Sequence, residues 1–260
     1  MYGSYKTIEH IIPESLGNDD LVLSEDVCDS CQSYFGKEVE KFVLSKTPIA
    51  FWRTYLGIKT KKSELPSVDL SLPKIRKGRL PNVHPKSDDF GLKAYIDGST
   101  EVTLESEVLR EDIISGKRNQ LNLILTPLVL QMMGRFLCKI GIELICLSDS
   151  NLARSAQFEQ ARNYARFPKS RELWPIFHFE KGNPRQFISP ILHTKNGRIE
   201  KVECYSYRII DFHHIYTLLH FSIGTDNWVV SLNNPYPTVL IKNAFPDDNL
   251  KLIWYSPQEL

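Results

Sequence analysis

The chain has 260 residues, 42% of them hydrophobic and 24% charged, which is enough apolar material for a sizeable core and excludes a wholly disordered chain. Lys and Arg total 32 against 31 Asp and Glu, a formal charge of +1, so any affinity for nucleic acid has to come from a local basic patch. The five cysteines are odd in number with only one close pair, which excludes a disulfide framework; with no signal-peptide core at the start, a reducing, cytoplasmic setting without membrane attachment is expected.

Turn residues dominate the beginning of the chain. Phe35, Val39, Phe42 and Val43 then recur at three- and four-residue spacing, which predicts a helix that Pro48 interrupts. Between Lys59 and Lys86 eight Lys or Arg and four prolines stand against Glu64 and Asp69, a net +6 that reads as an extended basic connector. Ala94-Tyr95-Ile96 and Val102-Thr103-Leu104 flank Gly98-Ser99 as the arms of a hairpin would.

A long helix is predicted over residues 123–147, with Asn122 as its N-cap and Pro127 in its first turn. Its polar residues Gln131, Arg135, Lys139 and Glu143 recur every four positions along one face, the pattern of a soluble amphipathic helix rather than a membrane span. A further helix is expected over residues 155–165, where Phe158, Arg162, Tyr164 and Arg166 read as a packed face with solvated charges. Beyond Trp174, β-rich runs at 199–207, 213–223 and 228–232 alternate with turn residues at 224–227 and 233–235, implying an antiparallel sheet packed on the helices. Asp211, His213, His214 and His220 read as faces of a strand rather than as metal ligands, and Cys138, Cys146 and Cys204 as small core residues. The fold class is α+β, divided into a small module over 1–58, the connector over 59–89 and a larger α+β domain over 90–260.

The chemistry-bearing stretch is EHIIPESLGNDDLVLSEDVCDSCQSYFGKEVEKF, residues 9–42. A Glu-His pair, an apolar pair, Pro, a Gly turn, and then Cys28-x-x-Cys31 starting 18 residues after His10 form a compound pattern far more specific than its parts. This stretch resembles the HNH endonucleases, in the branch that reads roughly E-H-I-I-P-x-S-L-G-N followed by V-C-D-x-C-N-x-Y-F-G-x-x-V-E. The segment FLCKIGIEL, residues 136–144, also looks like one that follows in such proteins.

The resemblance implies a ββα-metal module that hydrolyses phosphodiester bonds, with DNA the expected partner and host defence or a mobile element the expected setting. In that scheme His10 is the general base, because a neutral imidazole takes protons near neutral pH. Glu9 ligates Mg²⁺ or Mn²⁺, which favour hard oxygen donors. The family places an Asn or His after the second cysteine as a further ligand; here Gln32 stands there, offering the same amide oxygen on a longer arm. Cys28 and Cys31 would supply half of a structural Zn²⁺ site whose other half, a second C-x-x-C, is absent from the eight residues before Glu9. Lys74, Arg76, Lys77 and Arg79 of the connector are the expected phosphate contacts. The alternative is a module whose catalysis has decayed, leaving a nucleic-acid-binding or regulatory role.

Overall fold

The computed structural model describes residues 4–60, 62–69, 90–95, 100–104, 106–118, 125–169, 174–181, 191–195, 198–203, 205–213, 215–235, 240–248 and 250–253. The basic cluster of Lys74, Arg76, Lys77 and Arg79 lies outside these residues, as do Asn122, Cys204 and His214. Helices and antiparallel sheets share the chain, as an α+β fold requires.

The amino-terminal segment opens with a two-stranded ribbon, β1 (Glu9–His10) paired antiparallel with β2 (Val22–Leu23). A 3₁₀ turn, Glu14–Leu16, lies between them and closes on Gly17, whose φ of 88° lets its N–H reach Glu14 O. The first long helix is one continuous run made of α1 (Asp29–Tyr34), a π-helical turn (Phe35–Glu40) and α2 (Lys41–Lys46). It buries Phe35, Val39 and Val43, the residues whose spacing predicts it. Pro48 does not merely end this run. It starts α3 (Pro48–Tyr55), because a proline lacks only an N–H that the first turn leaves unused, and Thr47 caps the new helix through Ile49 N.

The next sheet has three strands, β3 (Ser67–Asp69), β4 (Phe90–Ala94) and β5 (Thr100–Leu104), so the expected hairpin is present with a third strand on its edge. With α4 (Glu107–Ile114) it encloses a small cluster of Ala50, Val68, Leu92, Leu104 and Leu109. The long helix α5 (Pro127–Ser148) starts four residues later than the spacing suggests; Thr126 caps it through Val129 N, with Pro127 at its first position. Then come α6 (Ser150–Arg154), a 3₁₀ turn (Ala156–Phe158) and α7 (Glu159–Arg166), where Asp149 caps α6 and breaks what would otherwise be one helix.

The carboxy-terminal strands are β6 (Ile176–Glu180), the hairpin β7 (Ile191–Lys195) and β8 (Arg198–Glu203), then β9 (Tyr205–Phe212), β10 (Tyr216–Ile223) and β11 (Asp226–Ser231), with α8 (Leu240–Asn243) before β12 (Lys251–Ile253). The main sheet runs β12-β6-β11-β10-β9, antiparallel throughout. His213 falls in the β9–β10 turn at φ 53° instead of inside a strand, and Asp226-Asn227 already pair as β11.

The two faces of the main sheet are both covered, which explains the near-continuous apolar runs of β10 and β11. Leu219, Phe221, Trp228 and Val230 pack toward α5, while Phe177, Leu218 and Val229 pack with Ile241, Phe245 and Leu250. Helix α5 is the hub. Its apolar residues join one cluster that includes Ile11, Leu16, Leu23, Val39 and Val43 from the amino-terminal segment and the inner face of the sheet. That segment therefore has no separate core. A second tie runs from α3: Trp52 Nε1 donates to Asp226 Oδ2 at 2.7 Å, and Asp226 Oδ1 lies 2.8 Å from His178 Nε2. No helix among the described residues is long and apolar enough to cross a membrane.

At the β10–β11 turn, Gly224 has φ 60°, and a Cβ placed there would lie 2.1 Å from the Trp52 ring. Gly224→Ala is expected to lower unfolding free energy by about 2–4 kcal/mol, combining overpacking with a left-handed backbone. Urea denaturation of parent and variant checks this, and a loss under about 1 kcal/mol would show that Trp52 can move aside.

Candidate active site

The motif of the ribbon is first of all a folding device. Ile11, Ile12 and Leu16 are fully buried. Asn18, also buried, donates from Nδ2 to Ile12 O at 2.6 Å and Leu21 O at 3.0 Å, and accepts from Leu21 N at 2.9 Å. One amide thus satisfies the backbone of the loop between β1 and β2, which sets where Glu9 and His10 stand.

On β1 the two side chains diverge, as neighbours on a strand do. His10 is partly exposed; its Nε2 lies 2.8 Å from Glu14 Oε1, while its Nδ1 is buried without a hydrogen-bond partner. Glu14 is the neighbour of His10 that sequence reasoning passes over. Its signal is the four-residue step from His10, carried across a proline and a 3₁₀ turn instead of along a helix.

Glu9 turns inward. Its Oε1 lies 2.5 Å from Nζ of Lys139, on α5. The same ammonium lies 3.0 Å from Glu40 Oε1 and 3.0 Å from Glu143 Oε2, and donates to the backbone oxygens of His10 at 3.0 Å and Ile11 at 3.2 Å. The Lys139 side chain is 1% exposed. The face of α5 that reads as solvated is therefore buried: Arg135, Lys139 and Glu143 are all inside. The physical reason lies in the partner surface, since Arg135 donates to Ala165 O at 3.0 Å and to Tyr34 Oη at 2.5 Å, while Lys139 meets the carboxylates.

Three carboxylates around one ammonium leave two negative charges in excess if all are ionised. Burial opposes that state by raising the pKa of Glu9, against the pull of Lys139, and by pushing Glu143 well above the usual carboxylate range. Burial alone would lower the pKa of Lys139, but Glu143, Glu40 and Glu9 outweigh it and hold the ammonium charged.

Gln32 is also committed. Its Nε2 donates to Thr7 O and Val27 O, each at 3.0 Å, and its Oε1 accepts from Thr7 Oγ1 at 2.6 Å. The side chain sews the strand leading into β1 onto α1. Asp29 reinforces the seam by accepting from Lys6 N and Thr7 N, and its Oδ1 shares the one hydroxyl proton of Thr7 with Gln32 Oε1. Glu9 and Gln32 thus face different partners and, so arranged, do not fit a shared divalent cation; among the described residues no group of three His, Cys, Asp or Glu side chains is placed to hold a metal ion.

Cys28 is the N-cap residue of α1, with its Sγ 3.1 Å from Ser30 Oγ, a contact that lowers its pKa. Cys31 is more buried, and burial raises its pKa despite Arg166 beside it. Both thiols line a cavity of about 270 Å³ with Cys146, Asp26, Arg154 and Arg166. Both are free thiols, and Arg166 itself is stacked 3.6 Å over the Tyr34 ring. Phe158 and Tyr164 of the α7 region are buried core, and Arg162 binds Ala153 O and Ser155 O. At the far sheet, His220 is held by Asn227 and Arg208.

Gln32→Asn, one methylene shorter, is expected to lose the reach to Thr7 and Val27 and to cost about 1 kcal/mol of stability, measured by urea denaturation. Asp29 titrates at about 2, below its ordinary 3.8, because Ser4 and Thr7 hydrogen-bond the ionised form. A depressed folded-state pKa contributes stability that is present above 3.8 and lost as pH falls toward 2, so Asp29→Asn should flatten the acid limb of the pH–stability curve in that window. Superimposable acid limbs for parent and variant would contradict the role given to Asp29.

Residues 4–47 match the family model described as HNH endonuclease. No curated protein and no solved structure matches the chain. The matched residues contain the ribbon, the 3₁₀ turn, the Cys28-x-x-Cys31 knuckle and the first helix, so it is this amino-terminal segment that is similar to the HNH endonucleases.

Proposed function

We propose that this protein hydrolyses phosphodiester bonds of nucleic acid, DNA being the substrate the HNH pattern favours, in host defence or a mobile element. The observation that carries the reading is the His10–Glu14 pair, a partly exposed imidazole with a carboxylate on its outward nitrogen, set on the ribbon of the matched module. Glu14 is itself about one-third exposed at the mouth of the ribbon. A phosphodiester entering there repels that carboxylate, and its displacement frees Nε2 of His10 for a water molecule.

The proton of the water then passes to Nε2, the resulting hydroxide attacks phosphorus, one ester oxygen departs, and that oxygen is protonated from solvent. Lys139 contributes by fixing the backbone under the base, since it binds the carbonyl oxygen of His10 itself. The basic connector, with Lys74, Arg76, Lys77 and Arg79, supplies the cations that would track the backbone of the substrate.

The test is plasmid nicking by the full chain in Mg²⁺, in Mn²⁺ and in EDTA, with His10→Ala as control. His10→Ala is expected to lower the nicking rate by about 10²-fold or more while leaving the circular dichroism spectrum unchanged. Equal rates for parent and variant would overturn the proposal.

A further inference from the structure

We infer that Lys139 is the resident cation of the Glu9 site, so that a divalent metal is not ligated by Glu9 while α5 is docked on the ribbon. The inference rests on the HNH reading only in taking Glu9 as the position where that family holds its metal. The geometry is that of an occupied cation cage. Five oxygens surround Nζ within 3.2 Å: carboxylates of Glu9, Glu40 and Glu143, and the carbonyls of His10 and Ile11.

These donors come from β1, the loop after it, the π-helical turn and α5 itself. Hard anionic and carbonyl oxygens from several elements are what a divalent cation would seek, and here a lysine takes them all. Its side chain is 1% exposed and that of Glu9 8%, so solvent hardly reaches this carboxylate, and the cavity beside Cys28 and Cys31 meets the cage only at Lys139 and Glu143. A metal entering would meet the ammonium at close range in a poorly screened interior, and it would have to displace a charge that three carboxylates hold. The other member of the expected donor set, Gln32, does not point to this cage, because its amide is bonded to Thr7 and Val27.

The consequence is that α5, from beyond the matched module, acts as part of the module's centre. Lys139 is here a positioning residue. It replaces the electrostatic work of a metal on Glu9, and through the carbonyl of His10 it holds the imidazole in register.

The experiment is Mn²⁺ binding to the full chain, followed by titration calorimetry and by the loss of the free Mn²⁺ electron paramagnetic resonance signal. Parent, Glu9→Gln, Lys139→Met and the double variant are compared. Parent and Glu9→Gln are expected to agree within about twofold in Mn²⁺ affinity, including the case where neither binds, because Glu9 is not a ligand. Folded Lys139→Met, which keeps all but the last atom of the side chain's length and removes its charge, is expected to gain a Mn²⁺ site that the double variant loses by about tenfold or more.

A fall of about tenfold or more on Glu9→Gln in the otherwise native chain overturns the inference, as does a folded Lys139→Met that gains no site. Should Lys139→Met fail to fold, the comparison of parent with Glu9→Gln decides alone. Loss of the nicking difference between parent and His10→Ala would refute the hydrolytic reading and leave this comparison standing, so the two failures are distinguishable.

Discussion

One buried ammonium governs the arrangement of this protein. Lys139 stands midway along α5 and is held by Glu9, Glu40 and Glu143 together with two carbonyls of the ribbon. Removing the ammonium from this cluster would leave its carboxylates uncompensated in the interior, a change that costs about 3–5 kcal/mol in buried ion pairs. The cluster also imposes a register. Apolar contacts between Ile11, Leu16, Val39 and α5 are tolerant of small slides, whereas an ammonium with five oxygen partners is not. The polar interaction therefore selects one docking among the many that hydrophobic burial would allow.

Around this point the hydrophobic core is continuous. The ribbon and first helix are too small to bury a core alone, and they complete it with α5, whose opposite side is covered by the five-stranded sheet. The Trp52–Asp226 hydrogen bond and the close fit of Gly224 under the Trp52 ring add a second attachment, from α3 to the β10–β11 turn. Two separated anchors, one ionic and one aromatic, hold the HNH segment against rotation as well as translation. For His10 and Glu9 on a two-residue strand, rigidity has to come from such neighbours, since the strand has no extended ladder of its own.

The same contacts change the meaning of the motif. In EHIIPESLGN, the apolar pair and Leu16 are core, Gly17 supplies a left-handed turn, and Asn18 satisfies the loop backbone. Glu9 and Gln32, which the resemblance marks as ligands, are spent on Lys139 and on the Thr7–Val27 seam. His10 and Glu14 remain at the accessible edge. Most of the short motif is thus scaffold, with His10 and Glu14 the pair it leaves at the surface.

What the amino-acid sequence determined by itself is considerable: the α+β class, the helix through Phe35, Val39 and Val43, the existence of the long helix though not its start, the antiparallel strands after Trp174 and the HNH character of the first residues. These are local properties, set by hydrophobic period, capping chemistry and motif spacing, and each is legible within a window of a few turns. Only the tertiary structure decided which face of α5 is inside. Polar residues every fourth position show an amphipathic helix, but they do not say whether the polar face meets water or oxygens brought from far along the chain, such as the carbonyl of His10, 129 residues before Lys139. Burial of charge depends on a partner brought by folding, and no periodicity encodes that partner's position. For the same reason the pairing of Glu14 with His10, the commitment of Gln32 to Thr7 and the sharing of one core across the chain emerge only when distant elements pack.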